Sequence, residues 1–341
     1  MGSNAERKGH SDSAVPLVSI VIACYDYEAF ARETIESALQ QTYESVEVIF
    51  VDDGSNDGSL AIAHEMAEQN PGRLTVISQT NGGQVSAMLT GLRAASGALI
   101  CMLDADDRFC PDKVAKVVDR FARSPELVQV SHGRSFIDES GLPLSTEKRR
   151  LPEGDVTPQL LRWANYEWVV TSCLSYRRDT LLELLEAAVD HPVRVVDLHT
   201  TASAPFMGPI GAIHEALTEY RIHGINMHRG ADRSVWREAT IDVINQAASR
   251  AGRSESIDWR ADNLLVLMKR HTSNPPTLVQ SLRALARSVP EGVDLGYRPF
   301  RFCNEMIVRL TLFFSDPVGQ DMLRVSLPTY LKRLVISRFR R

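Results

Sequence analysis

The chain has 341 residues, 44% of them hydrophobic and 24% charged, enough for a large buried core with a smaller second unit. No apolar stretch reaches the roughly 20 residues that cross a bilayer, and residues 1–15 are polar, lack the apolar centre of a signal peptide and read as a disordered leader. The net charge of −5 hides an asymmetry, because residues 231–341 hold 18 Lys+Arg against 11 Asp+Glu while the rest is acidic.

The run Val18-Ser19-Ile20-Val21-Ile22-Ala23 is β-branched and predicts a strand. Residues 28–40 predict an amphipathic helix, with Phe30, Ile35, Ala38 and Leu39 as its apolar positions. Strands at 46–51, 74–77 and 98–103 then alternate with helices at 59–68 and 83–95. Strands separated by helices of this length imply a doubly wound, mostly parallel α/β sheet. A helix at 113–122 leads to a strand at 127–131, and residues 140–158 are rich in Gly and Pro. From residue 230 the pattern is mainly helical, which divides the chain into a unit at 16–229 and a helical region at 230–341. Cys24, Cys101, Cys110, Cys173 and Cys303 show no Cys-x-x-Cys spacing, so neither a zinc site nor a disulfide framework is expected. A reducing cytoplasm follows.

The strand at 98–103 ends in Asp104-Ala105-Asp106-Asp107. Three carboxylates this close repel one another and resist desolvation unless a cation offsets them. Hard divalent ions such as Mg²⁺ or Mn²⁺ take carboxylate oxygens and often share coordination with phosphates. An acidic turn that merely caps a helix before Pro111 is the plainer reading of the same residues.

Three more segments fall at strand ends, where open α/β sheets bind ligands. Ala23-Cys24-Tyr25-Asp26 closes the first strand, and Tyr25 there is either a stacking platform for a base or a buried structural ring. Asp52-Asp53-Gly54-Ser55-Asn56-Asp57-Gly58 closes the second, where an Asp accepts from a base or ribose or simply closes an Asx-turn. Thr80-Asn81-Gly82-Gly83-Gln84 precedes a helix, and its glycines admit an anion to backbone N–H groups, with Asn81 as a helix cap the alternative.

In this order the segments resemble the family-2 glycosyltransferases, inverting enzymes with the GT-A nucleotide-sugar fold. The resemblance runs through Val18–Asp26, Val51–Ser59, Asn81-Gly82-Gly83 and Leu103–Asp107; it is close over 16–135 and looser over 160–228. It implies Tyr25 and Asp53 at the uracil of a UDP-sugar, with Ala23 and Asn81 also on the donor side. It implies Asp104 near the ribose or donor sugar and Asp106 on a Mn²⁺ or Mg²⁺ bridging the phosphates, with Asp104 and Asp107 beside it. Asp26 departs from the Asn usual in the family. Inverting transfer needs a base for the acceptor hydroxyl, which the family places about 90 residues past the metal motif; Asp197 in Val195-Val196-Asp197-Leu198-His199 is the best match, ahead of Glu167 and Asp179. Glu219-Tyr220-Arg221-Ile222-His223 resembles the family's Tyr-Arg-x-His segment, which puts Arg221 on the phosphate charge and His223 on the metal or pyrophosphate.

The resemblance implies a saccharide or lipid-linked acceptor, with Trp163, Tyr166 and Trp168 in the region that selects it. The tail Tyr330–Arg341 groups Leu331, Leu334 and Val335 on one helical face, with Lys332, Arg333, Arg340 and Arg341 mostly elsewhere. It reads either as a peripheral contact on the inner face of the membrane or as a terminal helix packed on its own domain. Its basic residues are dispersed rather than interleaved with aromatics, against nucleic acid as a partner. Other classes are disfavoured: no Gly-x-Gly-x-x-Gly or P-loop follows a strand, and Cys24-Tyr25-Asp26-Tyr27-Glu28 is acidic where a nucleotidyltransferase needs a basic, glycine-rich loop. A non-catalytic nucleotide-sugar-binding scaffold of the same fold is the alternative, kept open by Asp197 lacking the Glu often found before it.

Overall fold

In the computed structural model, which describes residues 15–148, 150–167, 169–224 and 233–257, the first half of the chain builds a parallel sheet. In chain order it runs β1 (Val18–Cys24), α1 (Glu28–Leu39), β2 (Val46–Asp52), α2 (Ser59–Gln69), β3 (Leu74–Ser78), α3 (Gln84–Ala94) and β4 (Leu99–Asp104). The sequence places every one of these ends to within one residue. The strands pair in parallel in the order β3-β2-β1-β4. Their apolar residues alternate between two layers, as the period of a strand dictates. Ile20, Ile22, Phe50 and Leu103 face the core of α1 and α2, whereas Val21, Val51 and Met102 face that of α3.

The second half continues with β5 (Arg108–Phe109), α4 (Lys113–Arg123), β6 (Gln129–Ile137), β7 (Pro143–Thr146), α5 (Thr157–Trp163), β8 (Leu174–Arg177), α6 (Arg178–Glu186), α7 (Val196–Ser203), β9 (Ile210–Arg221) and α8 (Arg233–Arg250). It extends the same sheet in the order β4-β8-β6-β9-β5, with β7 on β6. Here the pairing is mixed: β8 is antiparallel to both β4 and β6, while β6 and β9 are parallel. Doubly wound geometry thus holds for the first four strands. The strand expected at 127–131 runs on to Ile137, because β9 pairs with it along its whole length through a register shift at Gly133.

Helix α8 sets Ala239, Val243 and Ile244 into one apolar cluster with Leu160 of α5 and with Leu198 and Ala202 of α7. No helix among the described residues is long and apolar enough to cross a membrane. The leader through residue 14 and the basic tail at 330–341 lie outside the described residues.

Candidate active site

The chain steps outward from β1 to β2 and β3, then returns through α3 to pair β4 on the other side of β1. The crevice beyond the carboxyl ends of β1 and β4 is therefore the topological switch point where such sheets hold ligands. A cavity of about 340 Å³ occupies it. Of the residues expected from the sequence, Ala23, Tyr25, Asp53, Asn81, Asp104, Asp106 and Asp197 line it. Asp107, Arg221 and His223 are absent from that lining. Glu167 and Asp179 are absent as well, and Asp179 points into solvent with its side chain 98% exposed.

The end of the cavity beside β2 is built around Asp53, which is 3% exposed. Its Oδ1 accepts Gln79 Nε2 at 2.7 Å and the Gly82 N–H at 2.9 Å, and its Oδ2 accepts the Gly83 N–H at 2.8 Å. This corrects the reading of the glycine loop: the anion on these N–H groups is Asp53 itself. Nor is Asn81 the helix cap, since Gly83 takes that position with a φ of 84°. Gly54 is required for the approach of the two loops, because its φ is +77° and a Cβ there would stand 2.9 Å from the Asn81 nitrogen. Asp26 has a φ of 57°, a left-handed conformation that Asn and Asp tolerate better than other side chains. Its carboxylate accepts the Asn56 N–H at 2.7 Å, which ties the first motif to the second and accommodates the change from Asn. Tyr25, 44% exposed, stands at the cavity rim with its ring open to a stacking partner.

The acidic floor is held from behind. Ser172, in a single 3-10 turn at Thr171–Cys173, donates its hydroxyl to Asp107 Oδ2 at 2.6 Å and accepts the Asp104 N–H at 3.0 Å. Gln84 Nε2 donates to Asp104 Oδ1 at 3.0 Å. Burial, followed by the Asp106 and Asp197 carboxylates, pushes Asp104 up to about 8. Burial, then Asp106 and Asp104, holds Asp107 well above the usual carboxylate range. Burial and mutual repulsion therefore resist ionisation of these carboxyls together, and a cation beside them would offset that cost. Cys24 also lines the cavity, but burial pushes its thiol up to about 12, so it stays protonated and is no nucleophile at neutral pH.

Three expectations change. Arg221, 1% exposed, donates to the Asp106 carbonyl at 2.8 Å, the Glu139 carbonyl at 3.0 Å and the Glu33 carboxylate at 2.7 Å. Its charge is matched inside the protein, so it braces the Asp106 turn rather than reaching a phosphate. Asp107 is wholly buried and accepts the Arg221 N–H at 2.9 Å besides the Ser172 hydroxyl. Its oxygens are committed to the fold, away from a metal. His223 Nε2 contacts Asp106 Oδ2 at 2.8 Å and its ring packs 4.8 Å from Phe30, a position that orients Asp106. Among the described residues no three His, Cys, Asp or Glu side chains converge as a metal-ligand group.

The cavity also takes residues not singled out from the sequence, namely Tyr27, Gln84, Val170, Thr171 and Tyr220. Gln84 and Tyr220 lie inside segments whose neighbours were chosen, whereas Val170 and Thr171 arrive through the tertiary fold and carry no local signal. Tyr166 is 3% exposed, inside the core that α8 completes. That removes it from the acceptor surface. Trp168 and the side chain of Trp163 lie outside the described residues.

With this geometry, comparison with known proteins is informative. The sequence model described as Glycosyl transferase family 2 matches residues 19–185. An uncharacterised glycosyltransferase of Nostoc sp. is 33% identical over 245 residues, 67% of this chain and 73% of that protein. Escherichia coli chondroitin synthase is 30% identical over 245 residues, 70% of this chain but 33% of its own length. Among solved structures, S. aureus TarS 1–349 in complex with UDP matches at a TM-score of 0.52 and 17% identity, over 90% of this chain and 89% of that one. The mannosyltransferase PcManGT from Pyrobaculum calidifontis, in complex with GDP-Man and Mn²⁺, matches at 0.50 and 22% identity, over 91% and 88%. At such identities the structural likeness speaks for the fold alone.

Proposed function

Given that this chain belongs to the family-2 glycosyltransferases, we propose that it is an inverting enzyme that moves a sugar from a UDP-sugar to a hydroxyl of a saccharide or lipid-linked acceptor in polysaccharide or glycolipid synthesis. The observation that carries this reading is the joint presence of Tyr25, Asp53, Asp104, Asp106 and Asp197 around one cavity at the switch point of the sheet. Tyr25 offers a face for the base, and Asp53 retains lone-pair capacity beyond its three donors for a base N–H. The TarS neighbour is in complex with UDP, and PcManGT with GDP-Man and Mn²⁺.

Asp197 is the base in this scheme. It lines the cavity in the first turn of α7 and takes the acceptor hydroxyl's proton as the oxygen attacks the anomeric carbon. The bond from that carbon to the diphosphate breaks on the opposite face, which inverts the configuration. Asp104 and Asp106, two acids on one cavity wall whose joint ionisation needs a cation, fit a divalent ion that they would hold and that would supply charge neutralisation at the leaving diphosphate.

Titration calorimetry of UDP, with and without Mn²⁺, tests the donor half. Binding should strengthen with Mn²⁺ in the wild type, and that gain should vanish in Asp106→Ala; absence of UDP binding under every condition would sink the uridine assignment. For the other half, Asp197→Asn should lose transfer by about 100-fold or more while binding UDP normally. Full turnover in that variant would dismiss Asp197 as the base.

A further inference from the structure

Helix α7 carries Asp197 to the cavity, and its start needs an acceptor from elsewhere. The first N–H groups of a helix find no partner within it, and Val195 at the cap position has no side-chain oxygen to offer. Gln84, at the start of α3, supplies it: Gln84 Oε1 accepts the Val196 N–H at 3.3 Å. The other end of the same amide donates from Nε2 to Asp104 Oδ1 at 3.0 Å. One side chain thus spans from the strand-end acid of the donor site to the residue before Asp197. Its orientation is fixed by chemistry, since a flipped amide would set N–H against N–H and lone pair against lone pair. Val196 and Val85 are both fully buried in the same apolar core, which holds the two helix starts around this tie.

We propose that Gln84 is a positioning residue for the transfer step, setting α7, and with it Asp197, against the donor-side acid Asp104. This role rests on Asp197 as the base, the reading given above. A base must stand within hydrogen-bond reach of the acceptor hydroxyl, and a displacement of about 1 Å can lower the rate about 100-fold. A shift of a fraction of that size should cost about 10- to 100-fold in rate.

Gln84→Met keeps the volume but leaves the Val196 N–H without its acceptor, so it should fold with a lowered Tm. In the full chain, kcat for UDP release from UDP-glucose or UDP-N-acetylglucosamine should fall about 10- to 100-fold. Donor KM and UDP affinity should move by less than about 3-fold, because Gln84 acts through α7. Amide hydrogen exchange at Val196 and Asp197 should accelerate, a readout independent of turnover. Unchanged kcat and exchange in Gln84→Met, alongside an inactive Asp197→Asn, would overturn the positioning role alone. UDP affinity falling in step with kcat would overturn it too, making Gln84 a donor contact. Normal turnover by Asp197→Asn would instead remove the base, and this role with it, whatever Gln84→Met does.

Discussion

Replacing Asp53 by Asn tests whether the β2 end of the cavity is organised by one carboxylate. Asp53 receives three donors within 2.9 Å, two of them backbone N–H groups of the glycine loop. An Asn that turns its oxygen toward Gln79 and Gly82 sets its NH₂ group against the Gly83 N–H. One charge-assisted hydrogen bond is lost, about 1.5–3 kcal/mol, and one half-buried N–H loses its partner, about 1 kcal/mol. With Asp53 only 3% exposed, water relieves little of the first loss. A destabilisation of about 2.5–4 kcal/mol lowers Tm by roughly 2–4 °C per kcal/mol for a domain of this size, so a drop of about 10 °C is expected by scanning calorimetry. UDP affinity should fall with it as the loop loses order. A variant melting within about 2 °C of the wild type would refute the bracing role of the carboxylate.

His132 predicts an acid sensitivity unrelated to catalysis. Burial, then the nearby Lys113 ammonium, pushes it from the ordinary 6.5 down to about 3. Between those values the unfolded chain binds a proton that the folded chain refuses, so stability falls as pH drops below 6.5, by up to about 1.4 kcal/mol per unit. Above 6.5 the group contributes no slope. His132→Gln should flatten that part of the profile in urea unfolding from pH 6.5 to 5, and parallel profiles would refute the assignment. Gly54→Ala forces a side chain into a φ of +77° and a Cβ to 2.9 Å from the Asn81 nitrogen. A loss of about 1–3 kcal/mol is expected, read as a lower Tm together with weaker UDP binding; a variant as stable as the wild type would show that the loop relaxes freely.

The first half of the fold was legible because its contacts are local in character. Each strand of β1–β4 is a short apolar run followed by a helix of matching period, and parallel pairing follows from that alternation. β8 and β9 were not, because their pairing is remote: β9 joins β6 from Gln129 with Ile210 to Ile137 with Arg221. In β9 the sequence mixes polar and apolar residues without a clean period, so nothing local marks a strand. The same division holds in the site. Acids at strand ends could be located from the strands themselves. Whether Asp107 and Arg221 face the ligand or the interior depends on Ser172 and Glu33, which reach them from 65 and 188 residues away in the chain. Motif identity thus placed these residues in the right neighbourhood, and packing decided their task.

The bond from the Arg221 N–H to Asp107 closes a loop of the chain across 114 residues. Inside that loop lie the hairpin between β6 and β7 and the turn before α7, while β1–β4, which ends at Asp104, stands wholly outside it. Lengthening a flexible surface connection is entropically mild, about 0.6 kcal/mol for each doubling. The segment between the two anchors can therefore gain or lose residues at its exposed turns with the nucleotide end undisturbed. A clasp of this kind separates the part of the protein that must stay constant from the part that can change.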